Sequence, residues 1–148
     1  MSPAPTADDV VELRSLAENY AYGADRDDPE VFVSAFHPDA TLTVFNNTDD
    51  PEPRSVREGH EALRDIPGML TRYDKTFHFI GNHRYAVDGD QASGEVYCMA
   101  HHMTKDADGA TDFIMLIRYD DTYRRDPGGA WRIAARVVRP QWTESRRC

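Results

Sequence analysis

The chain has little cysteine, no long apolar run and no excess of positive charge, and each shortage removes a class of protein. Its two cysteines, Cys98 and Cys148, show no Cys-x-x-Cys spacing, so neither a zinc pattern nor a disulfide framework is available. No stretch approaches the roughly 18 apolar residues that a membrane span requires. Met1-Ser2-Pro3-Ala4-Pro5 carries neither the basic start nor the apolar centre of a signal peptide, and a soluble cytoplasmic protein is expected. Seventeen Lys and Arg against 26 Asp and Glu leave a net charge of −9. That field repels phosphate backbones, which argues against nucleic acid and anionic membrane surfaces as partners. Neither a Gly-x-Gly-x-x-Gly loop nor a phosphate loop occurs, so no nucleotide cofactor is expected. A Gly-x-Ser-x-Gly elbow is missing too, and with it the support for a hydrolase triad.

What is present suits one globular domain over 1–148, with 1–6 and 143–148 expected as frayed tails. Hydrophobic residues make up 40% of the 148 and charged residues 29%. At this length folding buries roughly two-thirds of the unfolded surface, so the core needs no metal or disulfide to hold it.

Thr6-Ala7-Asp8-Asp9 reads as a variant capping box opening a helix. Behind it Val10, Leu13, Ala17, Tyr20 and Ala24 form one apolar stripe that runs out near Asp25. Asp28-Pro29 starts a second, shorter helix with Val31, Phe32, Ala35 and Phe36 inward. Residues 40–45 are strand-like, 46–53 form a polar turn-rich loop, and 59–70 predict a third helix bent or broken at Pro67-Gly68. Strands follow at 77–87, 92–104, 112–124 and 131–139, separated by Gly-rich and Asp-rich turns. Helices first and a meander afterwards give an α+β class: a strongly curved antiparallel sheet forming a cone, with about three helices packed on its concave side. The mouth of such a cone is a default place for a small-molecule site.

Alternation along 92–104 puts Val96, Cys98, Ala100 and His102 on one face and Glu95, Tyr97, Met99 and His101 on the other. The first face is small and apolar until it ends in an imidazole, as a pocket wall would be. His102 is therefore expected to face the pocket and His101 to point away. Cys98 lies about 13 Å along the strand from His102, beyond hydrogen-bond reach, so it reads as a small buried hydrophobe lining the interior rather than as a nucleophile. His78 shares a strand face with Thr76 and Ile80, opposite Phe77 and Phe79. Asp25 stands one step beyond the apolar stripe, and Tyr20 lies on it. Asp25, His78 and His102 could make a two-histidine, one-carboxylate metal set, but they are scattered rather than held in a tight motif, and no metal is expected.

Thr76-Phe77-His78-Phe79-Ile80-Gly81-Asn82, Gly89-Asp90-Gln91-Ala92, Gly94-Glu95-Val96-Tyr97-Cys98-Met99-Ala100-His101-His102 and Trp131-Arg132-Ile133, in that order, resemble the SnoaL-like branch of the nuclear transport factor-like cone folds. The likeness runs from Tyr20 to Trp142, with scytalone dehydratase and bile acid 7α-dehydratase closest in motif. It implies that Asp25 orients a catalytic histidine at position 102, that His78 is the second active-site histidine, and that Tyr20 pairs with Asp25 as in the bile acid enzymes. Ala24 and Val44 stand where scytalone dehydratase has two water-holding tyrosines, so the substrate arrangement differs.

Such a set suits carbon-acid chemistry without a cofactor. A histidine titrating near neutrality removes a proton beside a carbonyl while a carboxylate holds its tautomer. The expected activity is a lyase, a dehydratase of a hydroxylated cyclic or polyketide-like carbonyl compound. His102 is the expected base, Asp25 its partner, and His78 with Tyr20 the hydrogen-bonding and protonating groups. Val44, Cys98, Ala100 and Arg139 are expected to line or close the substrate pocket. A cyclase or isomerase, a hydrophobic-ligand binder and an accessory subunit are the alternatives. Phe113-Ile114-Met115-Leu116-Ile117 is apolar throughout, which suggests cover on both faces and hence a homo-oligomer, dimer or trimer.

Overall fold

The structure is a computed structural model, and residues 4–148 are described. Helix α1 spans Ala7–Asp25, and its first turn is closed by the capping box: Asp9 N–H donates to the Thr6 hydroxyl, and the Asp9 carboxylate accepts from Thr6 N–H at 3.1 Å. Its buried face is Leu13, Leu16, Ala17, Tyr20, Ala21 and Ala24, the expected stripe widened by one column. Asp28 caps α2 (Pro29–Ser34) by accepting from Val31 N–H. The predicted third helix is two pieces, α3 (Gly59–Arg64) and α4 (Ile66–Leu70). The break falls at Asp65 rather than at Pro67, because a proline without an N–H is tolerated in a helix's first turn and not in its interior.

Six strands form one curved, unclosed sheet in the order β2-β1-β6-β5-β4-β3. They are β1 (Phe36–Val44), β2 (Ser55–Glu58), β3 (Lys75–Asp88), β4 (Gln91–Asp106), β5 (Gly109–Arg125) and β6 (Trp131–Arg147). All neighbours pair antiparallel except β1 and β6, which run parallel. Two features were not legible beforehand. β2 is four polar-rich residues at the sheet edge, too short and too charged to alternate visibly. β1 begins at Phe36, with His37-Pro38-Asp39 carried through a register shift between Phe36 and Thr41, where a proline costs no ladder bond. The expectation of frayed ends also gives way where it can be examined. Thr6 caps α1, residues 1–3 lie outside the described residues, and 143–147 pair with β5.

The long strands bend where their registers slip, at Ile80/His83, Leu116/Ile117 and Thr122/Tyr123. The helices fill the concave side. Trp131 ties α1 to β6 by donating from its ring N–H to Asp9 and from its backbone N–H to Glu12, both at 2.8 Å. Within the concave core the Arg136 guanidinium is fully buried and donates to Asp121 at 2.9 and 2.7 Å. It lies over the rings of Tyr20 and Tyr119, 4.4 and 4.1 Å from their centroids. No helix is long and apolar enough to cross a membrane among the described residues.

Candidate functional site

A cavity of about 490 Å³ opens between the concave sheet and the segments β1–β2 and α4–β3. Its interior wall is apolar, with Leu42, Val44, Ile66, Met115, Ile117 and Val138 among the lining side chains. His78, His102, Tyr20 and Ala100 line the same space. The face assignment of the adjacent histidines also holds. His102 is buried, whereas His101 is partly exposed on the outer face and pairs with Asp112 at 2.7 Å.

The carboxylate's partner differs from the expectation. Asp25 does not orient His102. Its Oδ1 meets His78 Nδ1 at 2.6 Å and the Thr76 hydroxyl at 2.9 Å, and its Oδ2 accepts the His78 backbone N–H at 2.8 Å. The reason lies in the sheet order. β3 is an edge strand, so the N–H of His78, opposite Ala100, turns away from β4 and needs a partner. The end of α1 packs beside that edge, and the Asp25 side chain supplies the acceptor. His102 sits one strand further in, where its Nδ1 instead meets the carbonyl of Phe113, its cross-strand neighbour, at 3.1 Å.

Both tautomers follow from these partners. A carbonyl oxygen only accepts, so His102 Nδ1 carries its proton. With Asp25 ionised the same holds for His78, and among the described residues Nε2 of each ring makes no hydrogen bond. The two ring centroids are 5.8 Å apart with planes at 83°. Burial pulls His102 below the ordinary histidine range, and the neighbouring His78 and Arg72 add to that. Burial pushes the Asp25 carboxyl up, but the hydrogen bonds from His78 and Thr76 outweigh it and hold the group below its usual range. Burial pushes the Tyr20 hydroxyl up to about 12, so it is a firm donor at neutral pH. The Tyr20 ring meets His78 edge-on with centroids 6.4 Å apart.

Two expected lining residues lie elsewhere. Cys98 is buried in the core beside Tyr119, and burial pushes its thiol up to about 11. Arg139 follows the inward Val138 and so points outward, where it donates to Asp120 at 2.8 Å and covers the Phe45 ring. Tyr73 joins the site without any sequence signal. It sits in the turn before β3 and lays its ring 4.9 Å from that of His102. Arg54, Arg57 and Arg72 also line the cavity, and their spread over two loops and a short strand hides them from any spacing rule. No group of three or more His, Cys, Asp or Glu stands close enough to hold a metal among the described residues. Asp25 has both oxygens engaged by donors, and His102 has its Nδ1 on a carbonyl.

With this geometry in view, the relatives are informative. The sequence model of a family described as a SnoaL-like domain matches residues 5–137. A Mycobacterium tuberculosis protein, uncharacterized protein Rv2910c, is 28% identical over 131 residues, 87% of this chain and 83% of its own. Among solved structures, a candidate scytalone dehydratase from Novosphingobium aromaticivorans aligns with a TM-score of 0.75 at 20% identity, covering 91% of this chain and 85% of that one. A hexachlorocyclohexane dehydrochlorinase, LinA type 3 from Novosphingobium barchaimii, aligns with a TM-score of 0.76 at 18% identity, covering 93% and 89%. At these identities the structural likeness establishes a common fold.

Proposed function

The chain belongs to the SnoaL-like domain family, and within it we propose a cofactor-independent lyase that removes water from a hydroxylated cyclic or polyketide-like carbonyl compound. The single observation that carries this reading is the Asp25–His78 pair at 2.6 Å against an apolar cavity. His78 is the general base in place of His102. Its Nδ1–H is fixed by the carboxylate, and its Nε2 lone pair takes the proton from the carbon beside the carbonyl. The electron pair of that C–H bond becomes the new C=C bond as the C–O bond to the hydroxyl breaks. The imidazolium, stabilised by Asp25, returns the proton to the departing oxygen, which leaves as water. Tyr20 donates to the carbonyl oxygen as charge builds there, and the neutral Nε2 of His102 accepts from the substrate hydroxyl and positions it. Two neighbours in the fold bear names of eliminating enzymes, one losing water and one losing hydrogen chloride, which supports elimination over other chemistry.

The test is turnover of a panel of cyclic β-hydroxy ketones, read by product mass. Loss of one water by the native protein, and a fall of roughly 10²-fold or more in His78→Ala, are expected. Full turnover by folded His78→Ala contradicts the assignment, and a product of unchanged mass replaces dehydration by isomerisation.

We also propose that copies associate through the outer sheet face, where Phe77, Phe79, Met99 and Trp142 are exposed, the last three in one cross-strand row with Leu116. Sedimentation of the native protein as a stable monomer would remove that proposal.

A further inference from the structure

The chain carries a net charge of −9, yet the cavity is lined by three arginines and by no aspartate or glutamate. Arg54 lies just before β2, Arg57 lies on it, and Arg72 lies in the turn between α4 and β3, so the charges flank the cavity from two separate segments. Most arginines elsewhere meet a carboxylate, as Arg14, Arg64, Arg125, Arg132 and Arg136 do. Among the described residues none of the three cavity arginines does.

Their existing contacts leave donors free. Arg57 spends one N–H on the Ala62 carbonyl and lays another against Met69 Sδ, both at 3.1 Å. Arg72 donates to the Tyr73 hydroxyl at 3.2 Å and lies 4.9 Å from that ring's centroid. Among the described residues Arg54, which is exposed, makes no side-chain hydrogen bond. A guanidinium offers five N–H donors in a fixed fork matched to carboxylate or phosphate oxygens. Clefts lined by one sign of charge focus the field on the opposite sign. Arginines without a lining carboxylate, in a protein this acidic, suit the cavity to an anion.

We propose that the ligand of this cavity is a ring compound bearing one anionic group, a carboxylate or a phosphate, which Arg54, Arg57 and Arg72 hold while the ring enters the apolar interior toward His78 and His102. This names the substrate class for the lyase reading and rests on the same cavity. The arginines are specificity residues, and Arg72 is also tied to the chemistry. It lies over the Tyr73 ring, which in turn meets the His102 ring at a tilt of 54° with centroids 4.9 Å apart. An anion at Arg72 therefore offsets one of the positive charges that disfavour protonation of His102.

The experiment uses the full chain and four probes, benzoate, phenyl phosphate, methyl benzoate and benzamide, with binding followed through the His78 and His102 imidazole signals by NMR. At least one anion is expected to bind roughly ten- to hundredfold more tightly than the neutral pair. That preference should weaken with salt and disappear in the Arg54→Gln/Arg57→Gln/Arg72→Gln variant, with the His102 signal moving toward its protonated position only when the anion binds. Whichever anion binds more tightly identifies the group. Equal binding of benzoate, phenyl phosphate and methyl benzoate overturns the proposal, as does an anion preference that survives in the folded triple variant. Turnover is not read, so failure here leaves the lyase assignment standing, and failure of His78→Ala to lose activity leaves the anion preference standing.

Discussion

Asp25 and His78 are joined twice, ring nitrogen to one carboxylate oxygen at 2.6 Å and backbone N–H to the other at 2.8 Å. The two bonds do different work. One fixes the imidazole's tautomer and orientation; the other satisfies an edge-strand N–H that the sheet leaves open. Orientation of the base is therefore coupled to closure of the sheet edge, and a substitution at Asp25 disturbs both.

Acid should weaken the fold through this site. The folded His102 ring binds a proton less readily than in the unfolded chain, so the unfolded state takes up more protons as pH falls below about 6.5. Its contribution is present at neutral pH and is lost progressively down through the lowered folded value. Asp25, also lowered, adds a loss of the same sign below about pH 4. Urea unfolding of the native protein and His102→Gln should show a shallower loss for the variant between about pH 7 and pH 5. Parallel curves for the two proteins would contradict this.

Asp121→Ala should be severe. It strands the Arg136 guanidinium, which has no exposed surface, and removes the acceptor of the Tyr123 hydroxyl as well. A loss of about 3–5 kcal/mol is expected by denaturant titration. Replacing both partners with apolar residues of similar volume should recover most of it, because no charge is then left buried. A loss below about 1 kcal/mol in the single variant would show that the pair is solvated.

Gly23→Ala reverses the usual rule for helices. Alanine raises helix propensity by roughly 1 kcal/mol over glycine. Here, however, the new Cβ would come 2.6 Å from Phe32 N and 2.7 Å from Phe32 Cα, backbone that cannot swing aside. The variant should lose roughly 1–3 kcal/mol, since overpacking pushes α2 off the last turn of α1. Increased stability on thermal unfolding would contradict the close approach.

Which parts of this were legible in the sequence follows from how local the signals are. The Thr6 capping box, the Asp28-Pro29 start and the alternation from Val96 to His102 act within a few residues, and each is found as read. The short strand β2 and the parallel pairing of β1 with β6 depend on partners far along the chain. At the site, facing directions were readable and partners were not. Parity aims His78 and His102 inward, but which imidazole Asp25 reaches depends on β3 being the sheet edge. Arg139 shows the same limit, because a position near the mouth says nothing about the face until the β6 register is known. Tyr73, Arg54, Arg57 and Arg72 come from turns and a short edge strand whose convergence has no period.

The most direct test of the account is the nitrogen-detected NMR tautomer and titration of both imidazoles in the native protein and in Asp25→Asn. Nδ1–H tautomers are expected for His78 and His102, with the His78 signals perturbed strongly by the substitution and those of His102 only slightly. A His78 ring protonated at Nε2 instead, or a response confined to His102, would contradict the Asp25–His78 pair and the mechanism built on it.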